Sequence, residues 1–101
     1  MTKAKILSIA YNSLKTRHIP ENIRRLEGFD DLKDSIIKND FTIFETYICI
    51  CGSQLSLESK GKLQEKEAIK TIIDYLTNDS ATSFELAHYI IKNRYQENYY
   101  E

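Results

Sequence analysis

Apolar residues recur every three to four positions along most of the chain, which predicts a succession of amphipathic α-helices. Three helices follow from this spacing, over about residues 2–17, 62–77 and 82–98. The apolar positions of the first helix are Ile6, Leu7, Ala10 and Leu14. Those of the second are Ile69, Ile72, Ile73 and Leu76. Those of the third are Phe84, Ala87, Ile91 and Tyr95, with Leu86 and Ile90 beside this stripe. Charged side chains lie between them, so each helix is expected to bury one face.

Residues 20–37 predict two short helices or one broken helix. Pro20 suits a first-turn position, and Gly28 is expected to interrupt the helix. Asp30 and Asp31 suit the opening turn of the second part. The apolar positions are Ile23 and Leu26 before the glycine, and Phe29, Leu32, Ile36 and Ile37 after it.

The segment from Thr42 to about Leu57 gives two conflicting signals. Its many β-branched and aromatic residues are typical of a β-strand. Its spacing is typical of a helix, with one apolar stripe made of Phe41, Phe44, Ile48, Cys51 and Leu55. No second strand-like run exists to pair with it, and an isolated strand is unstable. The prediction is therefore a helix, with Gly52 marking its end or a kink.

Residues 39–50 and 78–90 share a local pattern, in which Asn-Asp precedes Thr-x-Phe-Glu. A threonine and a glutamate three residues apart fit a capping box at a helix start. The pairs are Thr42 with Glu45, and Thr82 with Glu85. We expect two helix starts that use the same local chemistry, and a pseudo-repeat of two helical hairpins is the alternative.

These elements predict an all-α protein, a compact bundle of four to five helices with short connections, forming one domain over residues 1–101. The composition agrees, because three glycines and one proline leave few turns, and 42% hydrophobic residues suffice for one core. The three regular helices are expected to supply most of the core around the 42–57 helix. The last ~4 residues are expected to fray.

No residue pattern points to catalysis, a cofactor or a metal. The glycine motifs of nucleotide sites and the His-Glu-x-x-His motif are absent. Cys49 and Cys51 are the only cysteines, whereas zinc needs four ligands, so we expect two small, buried or half-buried residues in a reducing cytosol. His18 and His88 have no catalytic partner at a motif spacing. We therefore expect a non-enzymatic protein with no cofactor and no metal ligand.

The chain shows no secretory-signal pattern, and its longest apolar cluster, residues 41–51, is too short and too polar to span a bilayer. We expect a cytoplasmic protein without a membrane partner. Isoleucine occurs fourteen times, while valine and tryptophan are absent. This composition indicates an AT-rich coding sequence, such as that of a low-GC bacterium or its phage.

The C-terminal segment predicts a binding surface. Tyrosine and arginine are enriched at binding hot spots, because they offer a large contact area at low entropic cost. The candidate residues are Tyr89, Arg94, Tyr95, Tyr99 and Tyr100. We expect them to bind another protein or a second copy of the chain. The alternative is that Tyr95 caps the core and the last two tyrosines are loose.

Charge is distributed unevenly. Residues 1–25 hold six basic and one acidic side chain, a net +5, and residues 26–101 carry a net −6. The basic side chains that form a candidate patch for nucleic acid are Lys15, Arg17, Arg24 and Arg25. The alternative is that the basic end packs near the acidic remainder.

Residues 67–90, with Thr-Ser-Phe-Glu-Leu-Ala at 82–87, resemble the first two helices of a helix-turn-helix or winged-helix unit. The resemblance implies a DNA-binding protein with a recognition helix to follow. Residues 91–101 would have to supply that helix, and they hold only Lys92 and Arg94 as basic side chains. The basic N-terminal region is therefore the better candidate for phosphate contacts.

From these features we expect a small protein-binding module, either of the inhibitor or immunity type or a subunit of a larger assembly. The alternative is a small nucleic-acid-binding or transcription-regulatory helical protein that uses the basic N-terminal region.

Overall fold

Six α-helices and no strand make up the residues that the computed structural model describes, which are 3–16, 18–77 and 80–100, with the backbone alone at 80, 82 and 94–100. The helices are α1 (Lys3–Thr16), α2 (Glu21–Arg24), α3 (Phe29–Ile37), α4 (Phe41–Glu58), α5 (Glu65–Thr77) and α6 (Ser80–Tyr100). The predicted all-α bundle is confirmed. It has more helices than predicted because the irregular segment 20–37 is two helices, α2 and α3.

Gly28 separates α2 from α3, as predicted. Its φ of +92° lies in the left-handed region, which glycine adopts without strain. A Cβ at this position would also lie 3.2 Å from Ile50 Cγ2 and 3.3 Å from the Tyr47 ring. The glycine therefore serves both the turn and its close packing on α4.

The segment with conflicting signals is a helix, α4, and the predicted stripe forms its buried face. The strand-forming residues Ile43 and Ile50 lie on the other side, where they are half exposed. Gly52 does not end α4, which continues to Glu58. A Cβ at Gly52 would overlap Ile69 Cγ1, so the glycine marks the place where α5 crosses closest to α4.

Asp40, not Thr42, caps α4. Its backbone is extended, and its Oδ1 accepts a hydrogen bond from the Ile43 N–H at 3.2 Å. Thr42 therefore lies inside the first turn, and Thr82 likewise lies inside α6, which begins at Ser80. Both predicted capping boxes are wrong. At α4 the reason is that the aspartate satisfies a first-turn amide and starts the helix two residues earlier.

One cluster of buried side chains holds the helices together. α4 packs between α3 and α5, and α5 also contacts α1 and α6. The apolar positions predicted for α1 and α5 are buried, with Leu14 partly so. No described helix is both long enough and apolar enough to cross a membrane.

The buried face of α6 differs from the predicted stripe. Its buried side chains are those of Ser83, Leu86, Ala87 and Ile90. Phe84, which the spacing placed in the core, is 63% exposed. The Ser83 hydroxyl donates to the Asp74 carboxylate on α5. Because Ser83 faces α5, Phe84, about 100° further round the helix, is turned toward solvent.

The helix-turn-helix expectation is also wrong. α5 and α6 form a helical hairpin, but α6 runs as one helix of 21 residues to Tyr100. No separate helix follows it within the described residues. The part of the chain that the structure describes therefore holds neither the short second helix nor the distinct recognition helix that the resemblance implied.

Candidate functional site

Of the predicted C-terminal surface, the structure describes the side chain of Tyr89. Tyr89 is 41% exposed on α6, and the edge of its ring packs on Phe41 at the start of α4, with centroids 6.2 Å apart. Lys3 Nζ lies 5.2 Å from the centroid of the same Phe41 ring. The side chains of Arg94 and Tyr95, and those of Tyr99 and Tyr100, lie outside the described part, so their predicted role stays a prediction.

Phe84, His88 and Ile91 lie at positions i, i+4 and i+7 of α6. The first two are exposed, and Ile91 is partly buried against the core. The Phe84 and His88 rings are nearly parallel, at 6°, with centroids 6.3 Å apart. We call these three residues the α6 stripe. The sequence interpretation assigned Phe84 and Ile91 to the core; Ile91 is partly buried against it, but Phe84 is exposed, and its spacing with His88 is the signal that was missed.

The structure describes three of the four side chains of the predicted basic patch, whose role stays a prediction. Lys15, Arg24 and Arg25 are exposed, and Arg17 lies outside the described residues. Lys15 Nζ lies 4.3 Å from the centroid of the Tyr11 ring, as in a cation–π contact.

Arg24 lines a groove between the end of α1 and α3. Its Nε donates to the Ile19 carbonyl at 3.0 Å, which fixes the guanidinium. The groove has a volume of about 260 Å³ and is lined by Leu14, His18, Ile19, Arg24, Phe29 and Lys33. Lys33 was absent from the sequence-predicted patch, because only the packing of α3 on α1 brings it near Arg24.

A second apolar surface lies on α4, opposite its buried face. Ile43 and Ile50 are each 42% exposed and Leu57 is 74% exposed, at positions i, i+7 and i+14. Positions seven apart differ by only about 20° around a helix, so the three side chains share one line. The residues along this line are Ile43, Thr46, Tyr47, Ile50, Ser53, Gln54 and Leu57. We call them the α4 face, and none of them carries a charge.

The sequence interpretation missed the α4 face for a specific reason. It read these residues as strand formers that competed with the helical stripe. In fact a helix with two apolar faces is rich in β-branched and aromatic residues all round. The signal was the spacing of seven, together with the single charged residue, Glu45, between positions 42 and 57.

Both cysteines are buried and outside any disulfide, as predicted. The Cys51 thiol points at the Glu27 carbonyl at 3.8 Å. Burial, with a smaller contribution from the negative charge of Asp31, raises the pKa of Cys51 to about 12. Cys51 therefore stays a protonated, small apolar residue at neutral pH. Among the residues described, no group of three or more His, Cys, Asp or Glu side chains is placed to hold a metal ion.

No protein-family model, curated protein or solved structure matches the chain. The support for a function therefore comes from the exposed surfaces: the α6 stripe, the α4 face and the groove at Arg24.

Proposed function

We propose that the chain is a non-enzymatic, cytoplasmic protein-binding module whose last helix docks in an apolar groove of another protein. It acts as an inhibitor or immunity-type protein or as a subunit of a larger assembly. The observation that carries the proposal is the exposed Phe84 ring, 63% accessible and stacked on His88.

The chemistry of the α6 stripe supports a protein partner. Helices that bind in grooves present anchors at i, i+4 and i+7, which are the positions of Phe84, His88 and Ile91. Burying a fully exposed phenylalanine side chain contributes about 1.5–3 kcal/mol, so the exposed Phe84 ring is the strongest anchor of the three. The exposed Glu85 and Lys92 beside the stripe supply a polar rim of both signs.

The experiment compares two variants in the cells that make the protein. Phe84→Ala removes the anchor, and Ile37→Ala is the matched control, because Ile37 is 59% exposed on α3, away from α6. Both are surface changes and should leave the free energy of unfolding within about 0.5 kcal/mol. Affinity capture with mass spectrometry should recover one partner with the native chain and with Ile37→Ala, and lose it with Phe84→Ala. Equal recovery with all three chains, or no partner with any, would overturn the proposal.

The two modes of action predict different behaviour of the recovered partner. An inhibitor or immunity-type protein abolishes the partner's activity when the purified chain is added. A subunit instead forms a complex of fixed stoichiometry and leaves that activity unchanged or raises it. Titration of the purified partner, read by activity and by light scattering, separates the two.

The alternative function, nucleic-acid binding through the N-terminal region, is favoured by the groove that places Arg24 near Lys33. Phosphate contacts would make binding fall steeply as salt rises. Arg24→Glu should then lose binding to RNA or DNA, and Lys62→Glu, a charge reversal at an exposed lysine after α4, should not. Binding that does not respond to salt or to Arg24→Glu would exclude this alternative.

A further inference from the structure

α4 is apolar on two faces. Its neighbours bury the first, whereas the second is covered only in part, where the turn at Gly28 lies beside Tyr47 and Ile50. α3 and α5 pack against it, yet Ile43, Ile50 and Leu57 remain exposed on the opposite side. Single exposed apolar residues are common on protein surfaces, but a line of them along four helical turns without a charge is not. In a chain with 29% charged residues, such a face indicates a surface that another helix covers.

The α4 face is symmetric about its centre. Ile43 lies seven residues before Ile50, and Leu57 lies seven residues after it. The line from first to last spans about 21 Å at 1.5 Å per residue. A face with this arrangement can pair with a copy of itself that runs in the opposite direction.

We propose that α4 is a self-association site, in which a second copy of the chain packs its α4 antiparallel on the first, about a two-fold axis at Ile50. In a two-fold contact each pair occurs twice with the roles exchanged. Ile50 then packs on Ile50 of the second copy, and Ile43 packs on Leu57 of the second copy. All three layers of the contact are apolar.

The intervening positions fit the same register. Thr46 comes opposite Gln54 of the second copy, so a hydroxyl meets an amide. Tyr47, half-buried against its own core, comes opposite Ser53 of the second copy, so its remaining exposed part meets a small side chain. Neither layer contains a charge that would be buried without a partner.

The ends of the helix favour the antiparallel direction. Asp40 caps the start of α4 and Lys60 follows its end, so antiparallel packing brings the end of the helix with the acidic side chain beside the end with the basic one. Exposed pairs of this kind contribute little affinity but select an orientation. Antiparallel α4 helices also set the positive end of each helix dipole beside the negative end of the other.

The proposed dimer goes beyond the binding function of α6 and does not depend on it. The dimer uses the exposed side of α4, whereas the exposed Phe84 ring belongs to α6, whose main packing partner is α5. A contact one helix wide is at the small end of specific interfaces. We therefore expect a reversible dimer that dissociates on dilution through the micromolar range.

Analytical ultracentrifugation of the full chain, from low micromolar to millimolar concentration, tests the proposal. The native chain should pass from monomer to dimer. Leu57→Lys and Ile50→Lys should stay monomeric throughout, the second because it sets two like charges face to face on the axis. Ile37→Lys, an equally drastic change on α3, should dimerise like the native chain. Circular dichroism of each variant shows that it is folded, and Leu57, at 74% exposure, is the position least able to disturb the core.

A mixing experiment tests the register. Ile43→Lys and Leu57→Glu chains should each dimerise at least tenfold more weakly than the native chain. Mixed at equal amounts, they should form a heterodimer, because antiparallel pairing brings the new lysine of one chain opposite the new glutamate of the other. Failure of the mixture to dimerise would overturn the antiparallel register.

Other occupants of the α4 face give different results. A native chain that stays monomeric at every concentration overturns self-association. So does a native chain that binds neutral phospholipid vesicles or a different protein through Leu57 while remaining a monomer. Because Phe84→Ala should leave the dimer intact, failure here and failure of the α6 proposal are read separately.

Discussion

Gly52→Ala tests whether the close crossing of α4 and α5 requires glycine. The new Cβ would overlap Ile69 Cγ1 and would lie 3.3 Å from the Ile69 backbone nitrogen and 3.4 Å from its Cα. Carbon atoms in ordinary contact are about 3.5–4.0 Å apart. Ile69 is fully buried, and a β-branched residue in a helix has essentially one χ1 rotamer. The overlap must therefore be relieved by moving the two helices apart.

The change in the free energy of unfolding follows from one stabilising effect and two destabilising effects. Alanine is a better helix former than glycine by about 1 kcal/mol, which stabilises the variant. Overpacking of a filled core costs about 1–3 kcal/mol. Separating α4 from α5 also loosens the contact at the centre of the bundle. We expect a net loss of about 1–2 kcal/mol in the free energy of unfolding, which lowers Tm by roughly 5–15 °C in a chain of this size.

Urea unfolding followed by circular dichroism measures the loss, and a double-mutant cycle assigns it to Ile69. Ile69→Ala alone should cost about 2–5 kcal/mol. In that background Gly52→Ala has room for its methyl group and should be neutral or stabilising, by up to about 1 kcal/mol. A Gly52→Ala protein as stable as the native chain would refute the reasoning. An equal loss with and without Ile69→Ala would place the cause elsewhere.

The remaining predictions concern the cap of α4 and the buried thiol. Asp40→Ala should lower the free energy of unfolding by about 1 kcal/mol, since it removes the hydrogen bond from the Ile43 amide. Thr42→Ala should have no more than a small effect. Equal losses for the two variants in urea unfolding would support the capping box predicted at Thr42. Folding raises the Cys51 pKa from 9.0 to about 12, so between these pH values the unfolded chain binds fewer protons than the folded one. The free energy of unfolding should therefore fall as pH rises above 9. The fall should be less steep in Cys51→Ala, and parallel pH profiles of the two proteins would contradict a raised thiol pKa.

The helices themselves could be predicted from local spacing. The stripe on α5 and the stripe Phe41, Phe44 and Ile48 on α4 are buried as the spacing indicates. A helix needs only a continuous apolar line and local caps, both of which are written in neighbouring residues. The break at Gly28 is equally local, because it depends on one residue's backbone freedom.

The surfaces could not be predicted in the same way. Periodic spacing shows which apolar residues lie along one line of a helix. It does not show which line packs against a neighbouring helix when the helix has two apolar lines. On α6 the buried Ser83 and its bond to Asp74 turn Phe84 outward. On α4 the packing of α3 and α5 covers one apolar face and leaves Ile50 on the exposed one. These outcomes depend on contacts between distant segments.

By itself, therefore, the sequence determined the number of long helices, the break at Gly28 and which residues share a line, because periodicity and backbone preference act within a few residues. Only the tertiary structure decided which of those lines of side chains is buried against a neighbouring helix and which is exposed to solvent. That choice is collective: one glycine, Gly52, lets α5 approach α4 on one side, and Ile43, Ile50 and Leu57 on the opposite side remain exposed.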